Sequence, residues 1–390
     1  VTEEQDGAPG PLAGVRVVAV EQAVAGPLCS RHLVDLGADV VKVERPGGGD
    51  FARGYDTLVS GTSTHFVWLN RGKRSVELDL KSDTGREYLR RLLERADVLV
   101  SNLGAGAIER LVDLQAVREV NPGLVSCAIS GYGPDGPYAS RKSFDLLVVG
   151  EAGITLSTGT SEQPAKPGVS LADLAGGVYA LAAVTAALLE RTRTGRGRHV
   201  DVALFDVMTE WMMPLLLAEE VSGRSVPPAG MHHATITPYG PYRTRDGRLL
   251  NLAVQNDAQW QRLCRGVLGD AALADAAHLA ANEGRLAHRT ECEQRVQDGL
   301  SRLDLLDLEQ ELDRADVPWG HLNTPSQVLD HPQLADRWTS ATVPSGAEVR
   351  VVADPFRFRG RSWATSDVVP ALGADTSAVL ADIDRADAGP

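Results

Sequence analysis

Asp173 stands at the start of a helical stretch of about residues 172–192, and a carboxylate in that place has two readings. It is an N-cap, accepting the first free amides of the helix, or it is a nucleophile that the positive helix end keeps ionised. Gly176 and Gly177, three and four residues on, share its helical face and leave that face bare for a substrate. Asp145 follows the loop GYGPDGPY and either faces the same cleft or caps local amides. Cationic and amide side chains gather near the ends of expected strands: Arg45, the run Asn70-Arg71-Gly72-Lys73-Arg74, Asn102-Leu103 and Arg141-Lys142. Jointly they suit a phosphate-bearing ligand; singly, each is as readily a solvated surface residue.

Other chemistries lack their markers. No GxGxxG follows the first strand, and neither GxxxxGK[ST] nor GxSxG occurs, which disfavours dinucleotide, ATP and serine-hydrolase readings. Cys29, Cys127, Cys264 and Cys292 are scattered without a CxxC, so neither a metal site nor a disulfide framework is expected, and a reducing cytoplasm is. His232 and His233 are adjacent without metal-ligand spacing; they read as a polar loop or as a binding or lid element. A net charge of -13 argues against nucleic acid and anionic membrane surfaces, but leaves room for one anionic ligand in a local cationic cleft. No apolar run reads as a membrane span.

The elements that must position these residues follow an α/β pattern. Short β-branched runs (15–20, 39–43, 76–80, 97–100, 124–130, 199–204) alternate with amphipathic stretches, which predicts a doubly wound parallel sheet with its ligand edge at the strand carboxyl ends. The long helix is expected to bury Leu174, Val178, Leu181, Thr185, Leu188 and Leu189. A shift in composition near SGRSVPPAG and a hairpin turning at Asp246-Gly247 mark a smaller α+β domain. The expected division is 1–224 for the first part of the large domain, 225–330 for the small domain, and 331–390 as a return segment with a strand pair near Val343 and 349–353. The acidic, Pro/Gly-rich start is expected to be a flexible lead-in and not a signal peptide.

The segments AVAGP, GADVVKVERPGGGDFAR, LNRGKRSVELDL, ADVLVSNLGAGAIERL, NPGLVSCAISGYGPDGPY, LADLAGGVYA and TGRGRHVDVAL together resemble the class III CoA-transferases, the formyl-CoA and carnitine CoA-transferase family, over about residues 12–265. The resemblance implies an interlocked homodimer of ring-like chains, each with a Rossmann-like large domain built from both chain ends and a small domain between. It implies Asp173 as nucleophile and coenzyme A as a substrate, with no permanently bound cofactor. CoA contacts implied at matching positions are Val24, Ala25, Arg45, Lys73, Asn102, Leu103, Arg110 and Lys142. The implied partners are an acyl-CoA, a carboxylic acid and a second copy of the chain.

Two departures matter. A racemase branch has His directly before the first Asp, where this chain has Phe144 before Asp145; Phe exchanges no proton, which disfavours a racemase. The small-domain loop reads GMHHATITPYG in place of a glycine run, so oxalate specificity is not implied. EQAVAGP, GDFARGYD, HFVWLNRGKRS and AVQNDAQWQRLC look nearer to the mesaconyl-CoA C1-C4 transferase branch, where transfer is within one dicarboxylate. Arg53, His65, His232 and His233 are then candidates to meet an acyl group or second carboxylate, against the plainer reading of solvated loops. A silent CoA-binding paralogue is the non-enzymatic alternative.

Overall fold

The computed structural model describes residues 9–358, 363 and 365–387; the first eight residues of the acidic lead-in lie outside them. Six parallel strands form one sheet: β1 (Arg16–Val20), β2 (Asp39–Glu44), β3 (Arg74–Glu77), β4 (Val98–Ser101), β5 (Val125–Ser130) and β6 (His199–Ala203), in the order β3-β2-β1-β4-β5-β6. The apolar runs are nearly continuous because helices cover both faces of the sheet. Strand order reverses between β1 and β4, and the loops leaving those two strands lie side by side there, where open α/β sheets bind ligands.

The helices of this layer are α1 (Ala25–Asp35), α2 (Thr64–Asn70), α3 (Asp83–Leu93), α4 (Leu114–Val120), α5 (Asp145–Glu151), α6 (Leu171–Thr194) and α7 (Leu204–Trp211). Residues 204–211 thus start a helix directly where β6 stops. One core face joins Val18, Val41, Val76 and Leu99 of the strands to Leu89, Leu93 and Val117 of α3 and α4. Helix α6 buries Ala172, Ala175, Gly176, Gly177, Ala180, Val184 and Ala187 together with Leu181 and Leu188. The expected stripe is therefore displaced: Val178 and Leu189 are exposed, and small residues take their place. Close approach to α1 is the reason, since a narrow gap between helices admits only small side chains. By length and composition α6 could cross a bilayer, yet half of its apolar stretch is buried as a core helix.

The chain divides into two compact units, one of Val1–Ala152, Pro167–Met213 and Asp336–Pro390, the other of Gly153–Lys166 and Pro214–Ala335. In the first unit the expected strand pair of the tail is a separate antiparallel hairpin, Trp338–Thr342 with Glu348–Val352. It does not extend the six-stranded sheet; Ala341 and Val343 pack instead on Ala52, Phe66 and Val67. The second unit has a three-stranded antiparallel sheet of Tyr239–Arg243, Leu249–Ala253 and Trp319–His321, with a core around Trp260, Leu252, Leu263 and Leu308. The hairpin turn closes at Asp246-Gly247, where Gly247 has φ 78°. Gly230 donates to the carbonyl of Gly159 at 2.6 Å, which ties 153–166 into this unit.

Candidate active site

Asp173 is the third residue of α6, and Ser170 at the N-cap makes no side-chain cap. The capping role falls to Asp145, the first residue of α5. Its Oδ1 accepts the backbone N–H of Ala172 at 2.8 Å and of Asp173 at 3.4 Å. A carboxylate from elsewhere in the chain thus occupies the positive helix end, which corrects the expectation that this end keeps Asp173 ionised. Burial, and then the negative charge of Asp145, push the Asp173 carboxyl up to about 7. A carboxyl with that pKa is divided between acid and carboxylate near neutrality, and when ionised it is poorly solvated and reactive. Tyr55 stands close enough to Asp50 and Asp173 that, after burial, both charges raise its phenol.

The glycines serve packing and not substrate access. A Cβ on Gly177 would lie 2.8 Å from the carbonyl oxygen of Ala25, and one on Gly176 would lie 2.2 Å from Leu204 Cδ2. Both are buried, Gly177 against the start of α1 and Gly176 against α7. The contact brings Asp173 one turn from the loop that leaves β1. In that loop Val24 is buried with Leu28 and Leu69, and Ala23 and Leu174 pack against them; Ala25 begins α1.

Beneath this loop lies a closed ionic network. Lys73 Nζ, solvent-free, donates to Glu21 Oε1 at 2.7 Å, the Pro27 carbonyl at 3.0 Å and Asn70 Oδ1 at 3.0 Å. Lys42 Nζ reaches Asp50 Oδ2 at 2.8 Å and Glu21 Oε1 at 3.4 Å. Arg53 is bound to Glu44 at 2.9 and 2.7 Å and to the Pro370 carbonyl at 3.2 Å, with its guanidinium over the Phe66 ring. Glu21, Glu44 and Asp50 balance Lys42, Lys73 and Arg53, which lets so many charges leave water together. Burial, opposed by Glu21 and assisted by Lys42, brings Lys73 down to about 8. Against the effect of its own burial, Arg53, Lys42 and Ser75 hold Glu44 at about 2.

Two of the expected ligand contacts belong to this network. Lys73 is fully enclosed, with its ammonium bonded to Glu21, Pro27 and Asn70 beneath the loop. Arg53 is paired with Glu44 through two hydrogen bonds. Asn102 is also engaged: its Oδ1 accepts Gln22 N–H at 2.8 Å and its Nδ2 donates to the Gln22 carbonyl at 2.7 Å. Leu103 is half-buried against the sheet core. Arg45, Arg110 and Lys142 remain exposed. Arg45 donates to the Gly49 carbonyl at 3.0 Å and lies over Phe51, and the guanidinium of Arg110 lies over Gly106. Arg141 is paired with Glu151 at 2.9 Å and stacked on Tyr138.

His65 lies edge-on between Tyr55 and Trp68, and its buried Nδ1 has no partner among the described residues. His232 and His233 belong to the second unit, where they line a cleft of about 440 Å³ with Met231, Tyr239, Asn251 and Trp319. His232 Nδ1 stands 3.5 Å from Glu293, and His233 lies against Tyr239. Among the described residues no group of three His, Cys, Asp or Glu is placed to hold a metal ion. Glu21, Lys42 and Asp50 were not singled out, although EQAVAGP begins at Glu21 and GADVVKVERPGGGDFAR contains Lys42 and Asp50; buried inside the network, they gave no spacing signal of their own.

The sequence model of CoA-transferase family III matches residues 12–376. A succinate–glutarate CoA-transferase of Agrobacterium fabrum is 34% identical, with 96% of each chain covered. A succinyl-CoA:mesaconate CoA-transferase of Haloarcula hispanica is 34% identical, with 84% of each covered. Among solved structures, a CAIB/BAIF family protein from Brucella suis superposes with a TM-score of 0.82 at 34% identity, covering 97% of this chain and all of that one.

Proposed function

Because the chain belongs to CoA-transferase family III, we propose that it moves CoA between an acyl-CoA and a dicarboxylic acid through covalent intermediates on Asp173. The observation that carries this reading is the capped α6 start: Asp145 takes the helix amides, and Asp173 is left as a poorly solvated carboxyl of pKa about 7. Asp173 attacks the thioester carbonyl, the C–S bond breaks and CoA thiolate leaves, giving an aspartyl-acyl anhydride. The thiolate then attacks the aspartyl carbonyl and releases the donor acid, so that Asp173 carries CoA as a thioester. The acceptor carboxylate attacks that thioester and expels CoA thiolate once more. Attack of the thiolate on the acceptor's acyl carbon in the second anhydride gives the new acyl-CoA and restores Asp173.

Arg45, Arg110 and Lys142 would carry the CoA phosphates, since each presents an exposed cation. The dicarboxylate reading is supported by the names of the Agrobacterium and Haloarcula relatives. With Arg53 committed to Glu44, His65, His232 and His233 are the remaining candidates to meet the second carboxylate. Donor and acceptor are two molecules or, as for mesaconyl-CoA, two ends of one. Phe144, 69% exposed and directly before Asp145, offers no second base, which stands against a racemase. The functional unit in this reading is a cytoplasmic, interlocked homodimer. Support comes from the helix Met213–Ser222, which buries none of its residues and exposes Met213, Leu217 and Val221 along one stripe.

The test is a matrix of acyl-CoA donors against mono- and dicarboxylic acids, read by mass spectrometry with one acid isotopically labelled. Transfer of CoA and a hydroxylamine-sensitive adduct on Asp173 are expected. Uptake of solvent deuterium at the α-carbon of the acyl-CoA, without any acceptor acid, would replace this reading with racemisation.

A further inference from the structure

Ala23 has φ 62°, a left-handed conformation that a residue with a Cβ rarely adopts, and it lies in the loop between β1 and α1. Two side chains from other strand ends grip the successive peptides around it. Asn102, after β4, brackets Gln22 through both its N–H and its carbonyl, at 2.8 and 2.7 Å. Asp50, after β2, accepts the Ala23 N–H on Oδ1 at 2.8 Å. The same Oδ1 takes the amide of Ala52 at 2.9 Å, and Oδ2 takes Lys42 Nζ at 2.8 Å. Both side chains of the Asp50–Lys42 pair are solvent-free, so the contact is held without competition from water.

The gripped loop runs straight into the first turn of α1, and that turn abuts the nucleophile's helix. Ala25 O is the atom that a Cβ on Gly177 would strike, and Ala23 and Val24 share an apolar cluster with Leu174, the neighbour of Asp173. The α1 N-cap, Val24, carries no side-chain cap bond.

We infer that Asp50 is a positioning residue for CoA transfer: clamped by Lys42, it locks Ala23 in its left-handed conformation and so sets the start of α1 against Asp173. This rests on the reading of Asp173 as nucleophile. Release of the loop misplaces groups around the reacting carbonyl and leaves the exposed cations Arg45, Arg110 and Lys142 untouched. The signature is a fall in kcat with little change in KM for acyl-CoA, because small displacements near reacting atoms cost roughly 100-fold.

The experiment compares wild type, Asp50→Ala, Ala23→Gly and the double variant in the full chain, by kcat, KM and melting temperature. Asp50→Ala should lose about 100-fold in kcat with KM changed less than about 3-fold. Glycine adopts positive φ unaided, so Ala23→Gly should restore about 10-fold or more in the Asp50→Ala background and change the wild type by about 2-fold at most. A merely structural Asp50 would lower the melting temperature without that rescue of kcat. If Asp50→Ala does not fold, the same comparison is made with Asp50→Ser, whose shorter side chain no longer reaches the Ala23 amide. Unchanged kcat on loss of Asp50, or a loss that Ala23→Gly leaves untouched, overturns the inference. Absence of transfer by the wild type overturns instead the reading on which it rests.

Discussion

Asp145 Oδ1 accepts the backbone N–H of Asp173 at 3.4 Å while holding that of Ala172 at 2.8 Å. Two carboxylates thus meet at one helix end with divided tasks. One satisfies the free amides, and the other, deprived of them and partly buried, is held near pKa 7.

Transfer rates should follow that pKa. Asp173 attacks as a carboxylate, so kcat/KM for acyl-CoA should rise with pH through a limb near 7. Asp145→Asn keeps an oxygen on the helix amides but removes the neighbouring charge, and its limb should move to lower pH. The shift stops short of the ordinary carboxylate range because burial, the larger cause, remains. Profiles from about pH 5 to 9 for both proteins decide this, and coincident limbs would refute the electrostatic role of Asp145.

Asp173→Asn should abolish the adduct, lower transfer by roughly 10⁴-fold and yet stabilise the fold at alkaline pH. The sign follows from linkage: the folded pKa, about 7, stands above the ordinary 3.8, so the folded state binds the proton more tightly. The wild type therefore carries no penalty below about pH 4, loses stability as pH rises through about 7, and carries the full penalty above. Thermal melts should place the Asn variant about 2–4 °C higher near pH 8, with the gap closing in acid. An equal gap at all pH values would show that Asp173 titrates normally.

The cations should separate into two classes. Lys73→Met removes a solvent-free partner of Glu21 and should destabilise the protein by about 3–5 kcal/mol. Arg110→Ala and Lys142→Ala should leave the melting temperature unchanged and raise KM for acyl-CoA about 10-fold each, the scale of one charge-assisted hydrogen bond. A stable Lys73→Met protein with raised KM would return Lys73 to the CoA site.

Gly177→Val places a side chain 2.8 Å or less from the immobile carbonyl of Ala25. Overpacking of this kind costs about 1–3 kcal/mol. Because α1 must shift, kcat should fall together with the denaturation midpoint; a fall in midpoint with full activity would separate the α1–α6 contact from catalysis.

Light scattering should give twice the chain mass for the wild type. Leu217→Glu with Val221→Glu, on the unburied stripe of Met213–Ser222, should break the assembly. A monomeric active wild type would dismiss the homodimer.

Much of this protein was legible in one dimension. The β-branched runs and helical spacings marked the six parallel strands, the third displaced: the expected run 76–80 shares only residues 76–77 with Arg74–Glu77, because side-chain period fixes a strand's presence better than its ends. Family membership was legible too, from motifs that keep their order along the chain. Spacing placed Asp173 at a helix start, but left open whether it capped that helix.

Only the tertiary structure decided what each charged side chain does. Asp145 and the amide of Ala172 are 27 residues apart, Lys73 and Glu21 52, and Asn102 and Gln22 80. No periodicity encodes those meetings. Whether Lys73 binds a phosphate or balances Glu21, and whether Gly177 admits substrate or α1, depends on which partner the fold brings within a few ångströms. At that range burial and Coulomb energy outweigh the tendencies of the residue type.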